Sequence, residues 1–139
     1  MKLKKLLLIP VALFMVSSAF SQDYNQNLLV KYSDEEIQNL KADSPNEFEL
    51  LNYFVENGFH IIDMPDKPID HKELVKIDGA TKEITPSDLV GFNPLEYEGC
   101  IYGSERQYFK AGNTGKLIII PRTSQLRNQL ENIKRIEKR

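Results

Sequence analysis

The chain is poor in the residue types that usually announce chemistry: it has one cysteine, two histidines and no tryptophan. A single cysteine excludes an internal disulfide, so stability has to come from burial and hydrogen bonding. Cys100, between Gly99 and Ile101, reads as a buried, inert thiol, with an intermolecular disulfide or reactive thiol as the alternative. Without tryptophan, the aromatic platform expected of a carbohydrate binder is weakened. Phe92, Tyr97, Tyr102, Tyr108 and Phe109 read mainly as core or its rim, with ligand stacking as the lesser alternative. Long apolar runs are also scarce. Only Leu6 to Val16 is unbroken, and it is about half the roughly 20 residues needed to span a bilayer.

That apolar run follows Lys2, Lys4 and Lys5 and precedes Ala19-Phe20-Ser21, the small-x-small pattern at which signal peptidase cuts. Residues 1–21 are therefore expected to be a cleaved export signal, and 22–139 a single soluble domain. A lipoprotein would need cysteine directly after the cut, where Gln22 stands, so no lipid anchor is expected there. The small-residue site followed by Gln22 resembles the leaders of Bacteroidota-type Gram-negative bacteria. The resemblance covers the leader alone and implies a periplasmic or cell-surface protein near an outer-membrane transport or motility machine.

Charge divides the remaining chain. Residues 22–121 hold nine basic and eighteen acidic residues, a balance of −9, whereas 122–139 hold six basic and two acidic, a balance of +4. Nucleic acid is an unsuitable partner for an exported chain with a net charge of −5 after cleavage.

The pattern predicts an α+β fold: N-terminal helices, a small, mostly antiparallel sheet, and a C-terminal amphipathic helix. Ser33-Asp34-Glu35-Glu36 has the form of a capping box opening a short helix. Ser44-Pro45-Asn46-Glu47 repeats the device with proline at the first helical position. Phe48, Leu51, Phe54 and Val55 then mark one helix face to about Asn57, and Gly58 is placed for a left-handed cap. Strands are expected at 59–63, 73–78, 107–110 and 116–120, the last two joined by the glycine-rich loop 111–115. Glu96 to Tyr102 suits a buried strand less clearly. Thr85-Pro86-Ser87-Asp88 starts a turn or so of helix. Leu117-Ile118-Ile119-Ile120 does not alternate, which predicts a strand covered on both faces. Leu126, Leu130, Ile133 and Ile136 form the stripe of a terminal helix about fifteen residues long.

Catalytic signatures are weak throughout. Asp63, Asp66, Asp70 and His71, with His60 upstream, have metal-ligand types but lack the spacing of a calcium loop, and two prolines fit an ordinary connection. Gly112-Asn113-Thr114-Gly115-Lys116 fails as a phosphate-binding loop, because the glycines are three apart rather than five and Leu117 replaces the hydroxyl residue. Neither histidine lies in a nucleophile or metalloprotease signature. With eighteen acids in the body, a dyad such as Glu96 and Glu98 carries no weight. No catalytic residue, metal or cofactor is therefore expected.

What remains is the basic tail. Its apolar stripe fits closure over its own domain. Alternatively, Arg127, Lys134, Arg135, Lys138 and Arg139 could meet an acidic envelope protein or anionic lipid. The sequence thus points to an exported, non-catalytic binding or accessory protein acting through protein contacts, for example a small subunit of an envelope machine. The competing reading is a small periplasmic hydrolase or metal-dependent enzyme whose site is assembled only in space.

Overall fold

A computed structural model describes residues 23–69 and 73–139. The expected leader, Asp70 and His71 lie outside the described residues. Two helices come first, α1 (Asp34–Asp43) and α2 (Pro45–Asn57), after a single 3-10 turn at Gln26–Val30. Four strands follow, β1 (His60–Asp63), β2 (Val75–Ile77), β3 (Gln107–Ala111) and β4 (Lys116–Ile120), and α3 (Thr123–Glu137) ends the chain. The α+β expectation holds, with helices at both ends of a small sheet. Among the described residues no helix is long and apolar enough to cross a membrane.

Local chemistry accounts for the helix starts, with one exception. Ser33 and Glu36 form a full capping box: Ser33 N donates to Glu36 Oε2 at 2.8 Å and Glu36 N to Ser33 Oγ at 3.2 Å. The box expected at Ser44 does not form, because its hydroxyl makes no cap bond. Ser44 is shared by two helices: its N–H donates to Leu40 O at 2.8 Å and its C=O accepts from Phe48 N at 3.0 Å. Glu47, the other half of the expected box, reaches Arg127 instead. Pro45 still starts α2, where a missing N–H costs nothing.

Strand order is β1-β4-β3-β2, with β1/β4 and β4/β3 antiparallel and β2/β3 parallel. β1 and β2 thus run in the same direction at opposite edges of the sheet. The register puts Ile61, Phe109, Ala111, Ile118, Ile120 and Ile77 on one face. These residues share one apolar core with Leu50, Phe54 and Val55 of α2 and Leu126 of α3. Leu117, on the opposite face, is also fully buried, so β4 is covered on both sides as its sequence predicts.

The stretch 96–102 is not a strand. A 3-10 turn at Pro94–Glu96, capped by the buried Asn93, takes its place. Asn93 is fixed at both ends of its amide: Nδ2 donates to Asn27 O at 2.9 Å, and Oδ1 accepts from Leu95 N at 3.1 Å. Tethering to the N-terminal turn wins over the β propensity of Tyr97, Ile101 and Tyr102. These aromatic positions reach the core from irregular backbone. Phe92 stacks on Tyr97 at 4.9 Å, and Tyr102 meets Phe54 edge-on at 5.0 Å.

Candidate functional site

α3 is anchored at its start and free at its end. Arg122 O accepts from Leu126 N at 3.1 Å in the first turn, and Thr123 N and Oγ1 both donate to Gly103 O, at 2.7 and 2.9 Å. The apolar stripe then rises out of the protein. Leu126 is fully buried and Leu130 half-buried, while Ile133 is 39 % and Ile136 72 % exposed.

The five candidate cations, three within α3 and two directly after it, divide in the same way. Arg127 pairs with Glu47, and Lys134 with Glu49, both on α2. Lys134 is also 3.7 Å from Glu131, and its hydrogen bond to Glu49 raises its pKa above the ordinary lysine range. These two side chains fasten α3 to α2. Among the described residues Arg135, Lys138 and Arg139 have no acidic partner within 4.0 Å, and all three are exposed. Arg135 adjoins Ile136 in the last turn of α3, and Lys138 and Arg139 follow directly after its final residue, Glu137. The helix end therefore offers an isoleucine bordered by cations.

Of the metal candidates read from the sequence, His60, Asp63 and Asp66 are among the described residues, and they form no metal-holding cluster. Asp63 is held by Lys116 at 2.5 Å, and this pairing lowers its pKa. His60 and Asp63, three apart on β1, point to opposite faces of the sheet. Among the described residues no cluster of three or more histidine, cysteine or acidic side chains could hold a metal ion. Cys100 is buried, and burial pushes its thiol up to about 11, so it is protonated and unreactive at neutral pH.

The loop 112–115 is a hairpin turn, with φ of +49° at Gly112 and +72° at Gly115. Ala111 O accepts from Thr114 N at 3.1 Å and from its hydroxyl at 2.6 Å, so the hydroxyl closes the turn.

One feature had no sequence signal: a cavity of about 360 Å³ at the β2 edge, bordered by Leu74, Val75, Arg106 and Tyr108. It arises from strand pairing, which no local pattern reports. No protein-family model, curated protein or solved structure matches this chain.

Proposed function

We propose that this is an exported, non-catalytic accessory protein of the cell envelope that docks an acidic protein partner through the far end of α3. The observation that carries the reading is the exposed Ile136, beside Arg135 and just before Lys138 and Arg139, at the end of a helix that is fastened as far as Lys134. Burying such an isoleucine at an interface is worth about 1.5–3 kcal/mol. Cations around it favour acidic partners and accelerate encounter. A simpler benefit also exists, since cations near a helix C-terminus gain about 0.3–1 kcal/mol from the helix dipole. That benefit accounts for the charges and not for the exposed isoleucine. Export is supported by the pattern of residues 1–21, and the non-catalytic reading by the buried thiol and the separated acids and histidine.

A photo-crosslinker at position 136, compared with one at the exposed Lys82, tests the docking in native envelopes. The expected result is an adduct with an acidic protein from position 136 alone, weakened by raised salt. Equal adducts from both positions, or adducts with lipid only, would overturn the reading. Export is tested separately by the mass of the N-terminus in the envelope fraction, expected to begin at Gln22.

A further inference from the structure

The cavity at the sheet edge is built by unequal strand lengths. β3 has five residues, but β2 pairs only with Phe109, Lys110 and Ala111. Gln107 and Tyr108 therefore lie beside no strand on that side. The space between them and Glu73–Leu74 is the cavity, and its volume of about 360 Å³ falls in the range of small-ligand sites. Ile69, Leu74, Val75 and Tyr108 give it an apolar lining. Val75, paired with Phe109 on the same face of the sheet, is 60 % exposed at the rim of this space.

Two opposite charges border this lining. Arg106 donates to Gln125 Oε1 at 2.9 Å, which positions the guanidinium and leaves it further N–H donors. Glu73 is the other charged group. Among the described residues the two form no ion pair with each other or with a third group. An apolar carboxylate would satisfy Arg106 and face the like charge of Glu73. An apolar amine would have the reverse fault. A ligand carrying both charges on an apolar body satisfies both groups and covers Val75.

We propose that this cavity binds an apolar zwitterion: a free α-amino acid with an aliphatic or aromatic side chain, or a short peptide of the same kind. The site is separate from the α3 end, and its failure would leave the docking reading intact.

The test is an NMR titration of the chain with leucine, phenylalanine and Leu-Leu, using leucinamide and 4-methylpentanoate as controls that each lack one charge. Leucine or phenylalanine is expected to move the Val75 and Tyr108 amide signals with a Kd between about 10 μM and 1 mM. Tighter binding of Leu-Leu would assign the site to peptides, and tighter binding of the single residues to free amino acids. Each control should bind about tenfold or more weakly, because it leaves one charged group unpaired. Arg106→Gln should weaken leucine by about tenfold and tighten leucinamide, which no longer faces a like charge, and Glu73→Gln should weaken leucine and tighten 4-methylpentanoate. Val75→Trp, which fills the space from an exposed position, should abolish binding without moving the unfolding midpoint. No shift by any probe up to about 10 mM would overturn the proposal. Controls that bind as well as leucine would overturn it too.

Discussion

At Gly58 the backbone is right-handed, with φ of −84°, so the expected left-handed cap is not the reason for glycine there. A Cβ would lie 2.6 Å from Phe54 Cα and 2.8 Å from its Cδ2, and space is the reason. Gly58→Ala is expected to cost about 1–3 kcal/mol in urea unfolding, as overpacking does in a filled core. An unchanged midpoint would contradict this account. Asp88 makes a different kind of prediction. Thr85 donates to it from both hydroxyl and backbone N–H, at 2.7 and 2.8 Å, and with Lys82 these bonds lower its pKa to about 2. A depressed carboxylate stabilises the fold above its ordinary 3.8, and that contribution is lost as pH falls towards 2. An NMR titration of the Asp88 carboxyl should give a midpoint near 2, and a midpoint near 3.8 would mean the turn is not held this way. Cys100 should resist iodoacetamide at pH 8 in the folded chain and react at once in urea, since its thiol is buried and raised. Equal rates in both states would place the thiol at the surface.

α3 shows how one element is divided between two tasks. Leu126→Ala removes a fully buried side chain and is expected to cost about 2–5 kcal/mol. Ile136→Ala lies on the same stripe, yet it should change stability by less than about 0.5 kcal/mol. Comparable losses for the two would show that the end of α3 is packed. Periodicity made the stripe legible but not its gradient of burial, because burial depends on how the helix packs in the folded chain. The β3–β4 hairpin was legible for a local reason: Gly112 and Gly115 carry the positive φ that the turn requires. The stretch 96–102 was not legible, because the β-prone Tyr97, Ile101 and Tyr102 mask a turn at Gly99, whose φ is +86° and where Cys100 N donates to Tyr97 O at 3.3 Å. Arg127 and Lys134 could not be told from Arg135, Lys138 and Arg139 by spacing alone. Their acceptors, Glu47 and Glu49, lie 80 and 85 residues away.

At the scale of the whole molecule, the acidic body and basic tail are partly self-complementary. Two of the tail's cations, Arg127 and Lys134, fasten the last helix to acids of the body, and Arg135, Lys138 and Arg139 border an apolar tip. This division makes stability and partner binding separable by mutation. The most direct measurement compares the native chain with one carrying Arg135→Glu, Lys138→Glu and Arg139→Glu, by urea unfolding and by partner recovery from native envelopes. The expected result is an unfolding midpoint within about 0.5 kcal/mol of the native chain, together with loss of an acidic protein that the native chain recovers. Recovery of the same protein by both chains, or of none by the native chain, would contradict the assignment of the α3 end as a docking surface.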